Sequence, residues 1–541
     1  MKLVLLRLII PLLLLALWIG CANIQTPTGG PKDKRPPKVT LSIPTPNQTQ
    51  FKGKTVVLVF NEAIKLNNPK EEIIISPSPG KDIEFQTKGN RVMITPKEPW
   101  KDTTTYSIVF REGVQDITES NSPTNLKLAF STGPSIDSMM MSGTVFDLLT
   151  GIPQEKATVA IYESDTFNLF THTPTYFTKA DKKGNFKLEN LRTGNYKLYA
   201  FDDKNKNLKV ESRSEKYGFL PSKFSLQENI DSFRIGLIQL DSRPIKLSNI
   251  RNIGNVTRVR FSKALVDYSL TSDKEVVHAF GDNQSEIAIW NPETDSARIQ
   301  LLATDSLENS VDSIFYIKKT SIKPVIDKFI FNIGSPFINP ENARLVNTFK
   351  FSKPITQQTL DSIFIQVDTT SRITFTKDDL IYDAKHKEMT LNKALEKKMF
   401  GANQNPILNL VVRKGFGLSV EQDTTKVSSI PIRIYWPEES GTISLQANTK
   451  QKGYVIQLLD KASKTVAAQA VSTPKLTARN IPPGEYQIRI IIDTNQNGKW
   501  DCGNIKKDIP PETIVYYKAP DGATSFQIRA NWEVGPIQLH F

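Results

Sequence analysis

The segment Asp493-Thr494-Asn495-Gln496-Asn497-Gly498-Lys499-Trp500-Asp501 carries the residue types that a hard cation requires. Calcium takes about six to eight oxygens, and alternating acidic and amide side chains can turn theirs to one side of a loop. Asp493, Asn495, Asn497 and Asp501 stand at positions 1, 3, 5 and 9, with Gly498 at position 6. The Lys499 carbonyl is a further possible donor. The twelfth position is Asn504 rather than a bidentate glutamate, and no flanking helices are expected, so this is no helix–loop–helix calcium hand. The same residues also read as a turn. Asn497-Gly498 is the pair a type I′ hairpin favours, and Asx side chains bond their own backbone. Both readings stand at this level. A poorer copy has Asp203, Asn205, Asn207 and Glu211, with Leu208 where the glycine should be.

Catalytic chemistry finds little support. The four histidines, His172, His278, His386 and His540, begin no His-x-x-Glu or His-Glu-x-x-His pattern, so a zinc peptidase site is not expected. Cys502 has no His or second Cys near it in sequence to activate it. There is no Gly-x-Ser-x-Gly elbow, phosphate loop or dinucleotide fingerprint. The carboxylate pairs Glu71-Glu72, Asp202-Asp203 and Glu438-Glu439 are adjacent, so within strands they point to opposite faces. The chain is therefore expected not to be an enzyme. Met139-Met140-Met141 follows Gly133-Pro134 and reads as packing between modules.

At the N-terminus, Lys2 and Arg7 precede the apolar run of residues 8–19, and Gly20-Cys21 follows. The run is shorter than the ~20 residues of a membrane span and contains Pro11, so residues 1–20 read as a secretory signal peptide. Gly20-Cys21 resembles the bacterial lipobox, although Trp18 stands where that pattern usually has Leu. The resemblance implies that Cys21 is diacylated and becomes the mature N-terminus, anchoring the protein in a membrane. Residues 21–37, with Pro27, Gly29, Gly30, Pro31, Pro36 and Pro37, then form a solvated tether.

Lipidation of Cys21 leaves only Cys502, which excludes a structural disulfide within the chain, so the exported protein must rely on hydrophobic cores. The formal charge is +13, with the basic residues spread evenly and no Lys/Arg block of the kind that marks a nucleic-acid arm. The excess is read as serving solubility, with contact to anionic envelope polymers as the alternative.

The elements that position these residues are strands. Thr55–Phe60, Ile73-Ile74-Ile75, Arg91–Ile94 and Tyr106–Phe110 are short β-branched or alternating runs punctuated by Pro, Gly, Asn and Asp. The one helix candidate is Leu391–Phe400. Two repeats organise the chain. A strand ends in Phe and a short turn at Phe60-Asn61-Glu62-Ala63-Ile64, Phe261-Ser262-Lys263-Ala264-Leu265 and Phe351-Ser352-Lys353-Pro354-Ile355. A Gly-x-Tyr strand precedes an Asx loop at Gly194-Asn195-Tyr196 and at Gly484-Glu485-Tyr486, with Tyr-to-Asp spacing of seven residues in both. The second repeat is read as a duplication.

Residues 36–133 resemble the bacterial Ig-like domain of S-layer and other surface proteins, through Pro36-Pro37-Lys38-Val39, Val59–Ile64, Thr104–Ile108 and Phe130-Ser131-Thr132-Gly133. Ser142–Asp147, Gly151-Ile152-Pro153 and Ala157–Tyr162 are similar to the opening strands of carboxypeptidase-regulatory, transthyretin-like modules, and residues 440–541 look like a second such module. The order is similar to that of Gram-negative lipoproteins with an N-terminal Ig-like domain. The resemblance implies an all-β string of β-sandwiches behind a lipoprotein signal peptide: Ig-like 38–133, regulatory-like 139–240, Ig-like 241–322 and 323–437, regulatory-like 438–541. The expected function is a lipid-anchored scaffold, adhesion or binding protein of the cell envelope at the outer membrane. Its expected partners are the membrane, through the lipid, and an envelope protein or polysaccharide, with no nucleic acid; calcium is the one candidate cofactor. An envelope hydrolase with an unrecognised site, or an accessory subunit of an export or assembly complex, is the alternative.

Overall fold

The structure is a computed structural model describing residues 33–80, 82–163, 167–290, 296–320, 328–340, 342–401, 405–462 and 466–541. Cys21 and the segment before it lie outside the described residues. The fold is all-β, as the alternation of residue types requires: short strands form many small sheets, joined by turns. The chain divides into two compact units, residues up to 138 with 189–192, and residues 139–188 with 193–541.

In the first unit, Val39–Ile43, Val56–Phe60, Arg91–Pro96 and Ile83–Lys88 form a four-stranded sheet in that order. Ile74–Ser76, Thr105–Val109 and Lys127–Ser131 form a facing three-stranded sheet. Val56, Leu58 and Phe60 alternate inward and meet Tyr106, Ile108 and Phe130 from the other sheet. Trp100 lies edge-on to Tyr106 at 4.7 Å and closes the core. Its ring N–H donates to the Lys54 carbonyl at 2.9 Å, so the one polar atom of the buried indole is satisfied.

Among the described residues, the rest of the chain forms four further sandwiches. In one, Asn185–Leu191, Met139–Asp147 and Ile230–Leu237 form a three-stranded sheet. It accompanies a sheet of Tyr176–Lys179, Thr158–Tyr162, Gly194–Phe201 and Tyr217–Phe219, with Phe224–Leu226 also on Gly194–Phe201. The last sandwich repeats this topology strand for strand. Lys475–Ile481, Gly441–Asn448 and Glu533–His540 form its three-stranded sheet. Val466–Val471, Val455–Asp460, Gly484–Ile491 and Ile514–Tyr516 form the other, with Phe526–Ile528 on Gly484–Ile491. In both, the first and last strands pair in parallel, and the ladder shifts after its first one or two pairs, between Met141 and Gly143 and between Ile443 and Leu445.

Between these two stand the sandwiches that carry the later Phe turns. One is built on Leu247–Ile253, Val256–Phe261, Glu286–Trp290 and Val277–Phe280, against Asp267–Ser272, Ser296–Thr304 and Ser310–Lys318. The other is built around Arg344–Phe351 and Glu388–Ala394, facing Ile363–Gln366 and Asn409–Val412. The three Phe turns share one device. Asn61, Ser262 and Ser352 each donate their backbone N–H to the residue that opens the sandwich, Lys38, Lys246 and Ile330. Each also accepts that residue's N–H on its own side-chain oxygen, at 2.6, 3.0 and 2.8 Å. A short acceptor side chain after the buried Phe is what the turn requires.

The helix expected at Leu391–Phe400 does not form. Glu388–Ala394 is a strand paired with Arg344–Phe351, and only Lys397–Phe400 makes a 3₁₀ turn. Met389 and Leu391 are both fully buried, a period of two that the facing strand selects over the helical preference of Leu, Ala and Lys.

Candidate functional sites: the Asx loops and the joints they make

Asp493 follows the strand Gly484–Ile491 and is fully buried. Its carboxylate accepts the backbone N–H groups of Asn497 at 3.1 Å and Gly498 at 2.7 Å. Asn495 Oδ1 also accepts from the Asn497 N–H, and Asn497 Oδ1 accepts from the Lys499 N–H at 3.0 Å. The amide groups of Asn495 and Asn497 donate to Asp501 Oδ2 at 2.7 and 2.5 Å. The structure thus brings all five residues singled out for calcium into one loop, with the side-chain oxygens serving the loop's own N–H groups. Asp501 Oδ2, an oxygen a cation would need, is held by the two amides. Among the described residues no group of three or more His, Cys, Asp or Glu side chains is arranged around a metal position. Nor does a type I′ hairpin form. Positive φ falls on Gln496 and Gly498, not on Asn497, and the strand Gly484–Ile491 finds its next antiparallel partner only at Ile514.

The sequence reading missed one member of this loop. Glu512, 6% exposed, accepts the N–H of Thr494 at 2.7 Å and that of Asp501 at 3.1 Å on its two oxygens. The first copy has the same clamp. Glu215, 1% exposed, accepts from Lys204 at 2.9 Å and from Glu211 at 2.8 Å. There Asp203 accepts from Asn207 and Leu208, and Asn205 donates to Glu211. Burial raises the Asp203 pKa against the lowering effect of these N–H groups. Leu208 adopts φ 59°, the left-handed conformation its counterpart Gly498 reaches at φ 79°.

Beyond Asp501 the chain becomes a clasp within the larger unit. Asn504, 8% exposed, donates its amide to the Leu307 carbonyl at 2.7 Å and accepts the Lys506 N–H at 3.0 Å. Lys506 reaches Asn309 at 2.6 Å, and Lys507 pairs with Glu308. The Cys502 thiol lies 3.2 Å from the Ser306 carbonyl, and burial pushes its pKa up, so it is a packed thiol and not an activated one. Toward the 139–240 sandwich, Asp508 pairs with Lys197 at 2.9 Å and the Tyr516 hydroxyl donates to the Leu149 carbonyl. Ile505 packs against the cluster of Tyr162, Tyr199 and Phe219.

The turn that receives this clasp is itself preorganised. Asp305, 4% exposed, accepts from Leu307 at 2.8 Å and Asn309 at 2.9 Å and forms a buried ion pair with Lys263 of the Phe turn. Burial opposes its ionisation, yet the Lys263 ammonium and the Asn309 donors hold its pKa below the ordinary carboxylate value. The equivalent Lys353 bonds both Glu421 and Asp423 at 2.7 Å. Glu421 also takes the Trp290 ring N–H at 3.1 Å, and Val420 packs on Trp290, joining the third and fourth sandwiches. Of the other tryptophans, Trp500 donates to the Glu512 carbonyl, and Trp532 is exposed beneath Arg529. None of the four histidines gathers a zinc set among the described residues; His172 accepts the Asn168 N–H, and His386 faces Asp383 at 2.7 Å.

Residues 33–132 match the family described as bacterial Ig-like domain, which covers the first sandwich. No curated protein matches the chain. Among solved structures it is similar to BcpA, the major pilin subunit of Bacillus cereus, at 11% identity over 75% of this chain and 98% of that one, with a TM-score of 0.13. It is also similar to the S-layer protein SbsC at 11% identity over 88% and 66%, TM-score 0.14. Dimeric latent PorU from Porphyromonas gingivalis is similar at 10% identity over 55% and 36%, TM-score 0.21. Overlaps at these scores carry no argument about activity.

Proposed function

We propose that this chain is a non-catalytic scaffold of the cell envelope, held to the outer membrane by lipid on Cys21. Its partner is an envelope protein or polysaccharide. The modules at 139–240 and 438–541 are of the carboxypeptidase-regulatory, transthyretin-like type, built on the shared strand order described above. The observation that supports the reading is where the polar chemistry goes. Asn504, Lys506, Lys507 and Asp508 are bonded into joints with two other sandwiches, and the one described thiol is packed against a carbonyl. Side chains that lock modules together suit a protein whose product is a shape.

Fatty-acid labelling of cells carrying the wild type or Cys21→Ala tests the anchor, with the label expected only on the wild type and the variant lost from the membrane fraction. Equal labelling of both removes the anchor from the proposal. Cross-linking in intact envelopes, followed by recovery of this chain, tests the scaffold. Recovery with no cross-linked envelope component would contradict it.

A further inference from the structure

A cleft of about 680 Å³ opens between the third and fourth sandwiches, a size typical of ligand sites. Its floor is apolar, from Val256, Ala288 and Trp290, and its walls are cationic. Arg258 and Arg260 both reach Glu286, at 2.6 and 2.5 Å, so one carboxylate serves two guanidiniums. Arg251 stands directly across the ladder from Arg258, a like-charge pair that by itself is unfavourable. Arg251 and Lys328 are exposed, and neither side chain has a partner among the described residues. Lys387 is the most telling group. It is 8% exposed, and its ammonium donates to the Phe280 and Gly281 carbonyls at 2.6 and 2.8 Å. One of its three N–H donors is left over, and among the described residues no carboxylate pairs with it. The nearby carboxylates offset part of this charge: Glu421 is taken by Lys353 and Trp290, Glu286 by Arg258 and Arg260, and Asp282 sits 3.9 Å from Arg258.

Asp282 and Glu286 act on the Lys387 ammonium only from a distance, without contact, and burial outweighs them; a bound oxyanion would supply nearby charge and the missing acceptor. We propose that this cleft binds an oxyanion group, carboxylate or phosphate, carried, on the envelope location proposed above, by an acidic polymer of the envelope. Arg251 and Lys328 receive it at the mouth and Lys387 at the base.

Isothermal titration of the full chain at low salt tests this, with inorganic phosphate and a uronate trisaccharide as separate probes. At least one is expected to bind, more weakly as salt rises, and roughly tenfold more weakly to Arg251→Ala/Lys328→Ala. Both substituted side chains are exposed, so the double variant should melt with the wild type. Binding of the uronate assigns a carboxylate-bearing polysaccharide, and binding of phosphate alone keeps the oxyanion site but removes the uronate as its ligand. The proposal is overturned if neither probe binds at millimolar concentration, or if the double variant binds as tightly as the wild type.

Discussion

Glu512 receives the backbone N–H of Asp501 at 3.1 Å and so fixes the far end of a loop whose near end it also holds through Thr494. Its carboxylate is buried, with both oxygens occupied. Glu512→Gln turns one acceptor into a donor facing an N–H group, an unsatisfied pair that should cost about 1–3 kcal/mol. Glu215→Gln should behave alike in the first copy. Thermal or urea unfolding of the two variants checks this, and wild-type stability in both would mean the clamps hold nothing.

The two loops also differ at one informative position. Gly498 takes its left-handed backbone without a Cβ, whereas Leu208 holds the same conformation against steric cost. Gly498→Ala should destabilise by about 1 kcal/mol. Leu208→Gly should relieve a similar strain while losing some burial, for a net change near zero. Denaturant midpoints at an unchanged m-value are the measurement, and equal losses in both variants would refute the asymmetry.

Asn504→Ala removes the amide that satisfies the Leu307 carbonyl and the oxygen that receives Lys506. The expected loss is about 1–3 kcal/mol. It should be local, with faster amide hydrogen exchange at residues 305–309 and 501–512 and little change in the first unit. Exchange that rises uniformly, or nowhere, would contradict the clasp.

The Lys263–Asp305 pair makes a pH prediction. The folded-state pKa of Asp305 lies below its ordinary value, so ionisation of this group stabilises the fold. That contribution is fully present above the ordinary carboxylate value near ~4, and is lost as pH falls through the lower folded value. Asp305→Asn should therefore flatten acid unfolding below about pH 4. At neutral pH it should destabilise by about 1–3 kcal/mol, because Lys263 loses its carboxylate and keeps only the Asp241 and Arg243 carbonyls. Melting curves from pH 7 to pH 2.5 test both parts, and an unchanged acid slope would place the sensitivity elsewhere.

Calcium at Asp493–Asp501 is tested by melting the full chain in EDTA and in millimolar calcium. A bound ion would compete with the amides of Asn495 and Asn497 for Asp501, add ~1–2 kcal/mol at roughly tenfold above its Kd, and lose that gain in Asp501→Asn. No shift means that the loop is held by its own hydrogen bonds.

The strand-rich pattern, the three Phe turns and the duplicated loops were legible in the sequence by itself. Side-chain alternation decides which face a strand buries, and the Phe-turn motif is legible in five consecutive residues, although the bonds of Asn61, Ser262 and Ser352 close on residues 16 to 23 positions away. Only the tertiary structure decided that Leu391 lies in a strand, because the facing strand Arg344–Phe351 supplies ladder bonds that outweigh a weak helical propensity. Glu215 follows Asp203 by 12 residues while Glu512 follows Asp493 by 19, so no fixed spacing could reveal the shared clamp. Lys387 and Arg251 lie 136 positions apart in sequence and meet only where two sandwiches pack. Burial and charge at such a place arise from long-range packing, which residue order does not encode locally.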